Sequence, residues 1–166
     1  MATPLGHSIV GYALARALGV RSPGGLALSI GAANLPDVDL LMGYVANGDM
    51  FSLHHEVITH TRAFPLLVGA ATGAAVAVTS RLRGRRPTVR DVLKPAALAT
   101  ALVGSHVAMD PLPLPYDDMA PRTGSFWEVA FGQAWNAVID MAIYGTLAVA
   151  LLERNRTNGR TDEAQP

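Results

Sequence analysis

The chain has 166 residues, 50% of them hydrophobic and 16% charged, which is enough apolar material for a buried core and raises the question of a membrane. Thirteen Lys plus Arg against thirteen Asp plus Glu leave no net charge, so no global field steers a nucleic acid to it, and none is expected as a partner. The absence of cysteine excludes disulfides, thiolate metal sites and cysteine nucleophiles, so any metal must be held through nitrogen and oxygen.

The first residues, Met1 to His7, lack the charged segment and cleavage site of a secretory signal, so the amino terminus reads as mature. Helical periodicity over 8–18 ends near Gly19, and Arg21-Ser22-Pro23 makes a turn before a second apolar stretch over 25–35. Both are short for a membrane span and are expected at most partly inserted. Two helices joined so tightly run antiparallel, which returns Asp37 and Asp39 to the end where His7 starts the first. Residues 40–53 read as a mixed loop with Gly43, Asn47-Gly48 and Asp49, leading into His54-His55-Glu56-Val57-Ile58-Thr59-His60. Apolar runs over 64–80 and 92–109 flank a basic turn from Ser80 to Arg90, the second interrupted only by Lys94-Pro95 near its start. This hairpin repeats the first, so His60 at its entry and His106 with Asp110 at its exit share one end. A proline-rich loop then leads past Trp127 and Trp135, expected as interfacial anchors, to a last apolar run over 136–152. Residues 153–166 are polar and expected to be a disordered tail.

The predicted fold class is therefore all-α: a multi-helix membrane bundle of two antiparallel helical hairpins plus a carboxy-terminal helix, forming one domain over 1–152. Gly69 and Gly73 stand four apart, the small-residue spacing that lets membrane helices approach closely. The charges agree. Arg16, Arg21, Arg81, Arg83, Arg85, Arg86, Arg90, Lys94, Arg154, Arg156 and Arg160 fall at the end opposite the histidines, leaving only Arg62 and Arg122 beside them. By the positive-inside rule the basic loops are cytoplasmic, and the histidine clusters face the extracytoplasmic side of a bacterial inner membrane.

Imidazole and carboxylate are the ligands of borderline divalent metals, and all five histidines lie in stretches that topology gathers with acids. The four-residue spacing of His106 and Asp110 puts both on one helix face, although capping or a plain hydrogen bond also suits such a pair. Asp37 and Asp39 around Pro36 also suit helix caps or an Asx turn. His55 and His60 fit a loop that wraps a metal before a helix begins, whereas His54 reads as exposed or supporting. Jointly, His7, Asp37, Asp39, His55, His60, His106 and Asp110 are the candidate ligands.

The order Gly6-His7, then Pro36-Asp37-Val38-Asp39, then His55-Glu56-Val57-Ile58-Thr59-His60, then Ser105-His106 with Asp110 resembles the bacterial membrane-bound metal-dependent hydrolases, the YdjM-like or LexA-binding inner-membrane family. The resemblance covers residues 3 to about 110. More distantly, the ligand order is similar to zinc-dependent phospholipase C, an all-helical phosphodiester-cleaving enzyme. It implies one or two divalent ions, zinc foremost, held by His7, Asp37 or Asp39, His60, His106 and a bridging Asp110. It also implies Asp37 or Asp39 as the catalytic group that orients or deprotonates water, with a membrane lipid or other phosphoester as substrate. Where the family has His-Arg-Gly-x-Thr-His-Ser, this chain has Glu56 in place of the Arg, so a positive group that would meet a phosphate is missing; Arg62 is its nearest substitute. No histidine follows His106 to serve a third metal.

Two rival readings stand beside the hydrolase. One is a non-catalytic membrane protein stapled by a structural metal; the other is a small transporter using Asp140, whose plainer role is a hydrogen bond to a neighbouring helix. The sequence carries no signal for an oligomeric state.

Overall fold

Capping decides where the helices begin. The computed structural model describes residues 3–54, 57–110 and 136–153, and every regular element among them is helical. Helix α1 (Pro4–Ala17) starts at the Thr3 cap, whose hydroxyl accepts from the Gly6 amide at 3.4 Å, with Pro4 pre-set for the first turn. It therefore begins a turn earlier than its periodicity indicates, and His7 lies within it rather than at its start. Helix α2 (Pro23–Ala33) repeats the device with Ser22 and Pro23. A 3-10 turn, Leu35–Asp37, leads directly into α3 (Val38–Asn47), which ends at Gly48 in the left-handed conformation, φ 71°. The stretch expected as a mixed loop over 40–53 is thus largely a helix, stopped by the Asn47-Gly48 pair.

After a second 3-10 turn, Ile58–His60, α4 (Phe64–Leu82) runs out and α5 (Val89–Met109) returns. The Thr88 hydroxyl accepts from the Asp91 amide at 3.2 Å and the Asp91 carboxylate accepts from the Thr88 amide at 2.9 Å, a reciprocal cap that sets α5 three residues ahead of its expected start. Pro95 consequently lies inside the helix. Gly69 and Gly73 face α5: a β-carbon at Gly69 would lie 2.9 Å from the Ala96 carbonyl oxygen, and one at Gly73 would lie 3.3 Å from the Ala96 methyl. Close backbone approach holds this hairpin together, while α1 and α2 pack on each other and both reach α5.

Helix α6 (Asn136–Glu153) docks through Asp140, which is fully buried and accepts from the Thr3 amide at 2.6 Å and the Thr3 hydroxyl at 2.5 Å. Tyr144, one turn on, packs with Met109, Ile9 and Val10. The role expected for Asp140 as a hydrogen-bond partner of another helix is the one the structure shows. Substituting Asp140 by Ala strands two buried donors of Thr3 and is expected to lower stability by about 1–3 kcal/mol; Asp140→Asn, which keeps an acceptor, should lose less in the same thermal melts.

Helices α4, α5 and α6 contain 19, 21 and 18 residues and are long and apolar enough to cross a membrane. Only 17%, 28% and 22% of their most apolar windows are buried inside the protein. What they show outward includes Leu66, Leu67, Val78, Leu93, Met141, Leu147 and Val149, where a helix in water would carry charge. Helix α2 is apolar but shorter. The proline-rich loop after Asp110, Trp127, Trp135 and the tail beyond Glu153 lie outside the described residues.

Candidate metal centre

The two hairpins bring one end of five segments together: the start of α1, the turn after α2, the turn before α4, the end of α5 and the start of α6. All five carry imidazoles or carboxylates, and those of the first four face one another, while Asp140 of α6 is turned to Thr3. His106, completely buried, places its Nδ1 2.7 Å from the Ala33 carbonyl oxygen, so that nitrogen carries the proton and Nε2 presents a lone pair. This Nε2 lies 3.2 Å from Asp110 Oδ2 and 3.3 Å from Asp37 Oδ1. His60 is turned the same way, with Nδ1 2.8 Å from Asp39 Oδ2 and Nε2 3.2 Å from Asp110 Oδ2 and 4.0 Å from Asp37 Oδ1. His7 stacks on His106 with ring centres 3.5 Å apart, and its Nε2 comes within 3.3 Å of Asp110 Oδ1.

Two ligand groups result, each with one donor atom per residue, all within 4.8 Å of one another: His7, His106 and Asp110 in one, Asp37, Asp39, His54 and His60 in the other. Their separation is small, since His60 and Asp37 both reach the first group. His54, expected to be exposed or supporting, has a buried side chain with Nδ1 3.0 Å from Asp39 Oδ1, so exposure is corrected and His54 joins the cluster. His55, the neighbour preferred from sequence, lies outside the described residues, as does Glu56. Thr59 adds a hydroxyl 3.4 Å from Asp39 Oδ2. Neither Thr59 nor the Ala33 carbonyl was among the candidate site residues; a backbone acceptor leaves no trace in side-chain pattern, and only the position of Thr59 just before His60 hinted at its use. Arg62 is exposed.

Whether this nest suits a cation can be judged from its unsatisfied atoms. His7 Nε2, His106 Nε2 and both oxygens of Asp110 are buried and make no hydrogen bond of acceptable geometry, although they face each other at 3.2–3.3 Å. Buried lone pairs aimed at one another are costly unless something positive lies between them. Burial pushes the Asp110 carboxyl up; protons on the facing nitrogens of His106, His60 and His7 would outweigh that and hold it well below the usual carboxylate range, and a cation among these atoms would do the same with the nitrogens unprotonated. Among the described residues no Lys or Arg pairs with Asp37 or Asp110. The donor set, all imidazole nitrogen and carboxylate oxygen, fits a divalent metal.

The carboxylates differ in access. Asp39 is fully buried and engaged by His54, His60 and Thr59, whereas 14% of the Asp37 side chain is open.

The model of the YdjM inner membrane protein family matches residues 1–158 of the chain. Nothing matches it among curated proteins or among solved structures.

Proposed function

The chain belongs to the YdjM inner membrane protein family and is a membrane protein; from that premise and the nest at its helix ends, we propose that it is a metal-dependent hydrolase acting on a phosphoester, with a lipid-like substrate favoured by the position of the site. The observation that carries this reading is the convergence of imidazole and carboxylate groups from four segments, among them the buried Nε2 atoms of His7 and His106 and both Asp110 oxygens, which make no hydrogen bond of acceptable geometry. In this reading His7, His106 and Asp110 hold one ion and Asp37, Asp39, His54 and His60 hold a second, zinc in both. Bound divalent ions supply Lewis acidity toward a phosphoryl oxygen and lower the pKa of water.

The chain's own residues divide the remaining work. Asp39 holds the rings of His60 and His54 in place, and the Ala33 carbonyl does the same for His106. Asp37, the open carboxylate, is the group that accepts a proton from water. Asp110, facing three imidazoles, balances charge between the two groups.

Protein purified in detergent is expected to bind zinc and to cleave a chromogenic phosphodiester, to lose that activity on chelation and to regain it with zinc. Stoichiometric metal without turnover of any phosphoester would instead favour a structural staple, a reading supported by the ligands' origin in four separate segments. The basic end is proposed to face the cytoplasm, with the metal centre on the other side. Green fluorescent protein fused after Pro166 should then fluoresce in cells; a dark fusion with an active alkaline phosphatase counterpart would reverse this orientation.

A further inference from the structure

Helix α3 is built inside out. Its buried residues are Asp39 and Gly43, four apart on one side. Asp39 meets the histidines there, and a β-carbon on Gly43 would lie 2.9 Å from the carbonyl oxygens of Asp49 and Met50, so backbone closes the rest of that side. The outward side carries Val38, Leu41, Met42, Tyr44 and Val45, with Leu41 61% and Val45 77% exposed, and no charged residue at all. A surface helix in water has the opposite arrangement, and an exposed apolar cluster of this kind marks a contact with something apolar.

The root of α3 sets its depth. Asp39 Oδ2 is 2.8 Å from the Nδ1 of His60, and His60 precedes the membrane helix α4 by a few residues. In the first turns of α4, Leu66 and Leu67 are 65% and 52% exposed, so α3 is rooted beside the entry of a membrane-crossing helix whose own surface is apolar there. At ten residues α3 is about 15 Å long, too short to cross a bilayer and suited to lying along its boundary.

We infer that α3 docks on the lipid bilayer, its Val38, Leu41, Met42, Tyr44 and Val45 face entering the boundary between headgroups and acyl chains beside the metal centre. Lipid is the occupant because Asp39 and His60 tie α3 to the entry of the membrane-crossing helix α4, and the patch carries no charged group that would select a polar partner; Tyr44 suits the headgroup level. The inference holds whether or not the centre is catalytic.

The chain has no cysteine, so single cysteines report without background. Leu41→Cys and Val45→Cys, spin-labelled in vesicles of phosphatidylethanolamine and phosphatidylglycerol, are compared with Leu67→Cys on α4 and Arg85→Cys in the basic turn. Collisions with oxygen, which concentrates in lipid, should exceed collisions with a water-soluble nickel chelate at least about threefold at 41 and 45, as at 67, with the reverse at 85. Nickel dominance at 41 and 45 would show a face open to water and overturn the inference. Suppression of both collisions would show a face covered by protein, a second copy included, and overturn it equally. If a label at 45 unsettles folding, seen by gel filtration and helical content, Met42→Cys provides the same readout.

Discussion

Replacing His106 by alanine is expected to lower zinc affinity on the order of 100-fold or more, beyond the 10–100-fold typical of losing a group that merely supports a ligand. The ring lies 3.2 Å from Asp110 and 3.3 Å from Asp37, within reach of both ligand groups, and Ala33 fixes the nitrogen that faces them. Its loss removes a ligand atom and also one of the three imidazoles that face Asp110. Equilibrium dialysis against zinc with elemental analysis reads the effect directly. Thr146→Ala, which removes an exposed hydroxyl donating to the Ala142 carbonyl in α6, should retain the full metal content and so controls for general loosening. A His106→Ala protein that keeps wild-type zinc would remove the foundation of the proposed function.

The second large effect concerns the α4–α5 hairpin. A β-carbon at Gly69 meets the Thr100 side chain and, at 2.9 Å, the carbonyl oxygen of Ala96. Thr100 can rotate away, but the backbone of Ala96 cannot. Gly69→Ala is therefore expected to destabilise by about 1–3 kcal/mol, the usual range for overpacking, despite alanine's better helix propensity. Gly145→Ala in α6 has nothing within 4 Å of the added methyl and should stay within about 0.5 kcal/mol of the parent. Because α4 follows the His60 turn and α5 ends in His106 and Asp110, Gly69→Ala should also weaken zinc binding, whereas Gly145→Ala should not. Thermal melts in detergent with and without zinc separate the two contributions. Equal melting temperatures for both variants would mean that the hairpin is not held by close backbone approach.

Much of this architecture was legible because apolar runs punctuated by Gly19 and by the Ser80–Arg90 turn left few ways to pair the helices. The His106 and Asp110 pairing followed from helical spacing, and the gathering of His7, Asp37, Asp39 and His60 from hairpin connectivity. Helix α3 escaped notice for a physical reason: an inside-out helix that is apolar outward, with Gly43 and Asp39 inward, lacks the amphipathic period of an ordinary surface helix. The buried ring of His54 differs from the exposed or supporting place its sequence suggests, since a residue outside a regular helix has no period to tell inward from outward. Helix starts were misplaced where Thr3 with Pro4 and Thr88 with Asp91 cap earlier than hydrophobicity suggests.

The ligand-bearing segments are scattered from His7 to Asp110, and the last of them closes α5. A nascent chain that has made only its first hairpin therefore holds lone carboxylates and an imidazole without their partners. If the proposed function holds, metallation would be a late event in biogenesis: it would wait until the second hairpin has been laid down, and an ion captured then would act as the latch on an already assembled bundle.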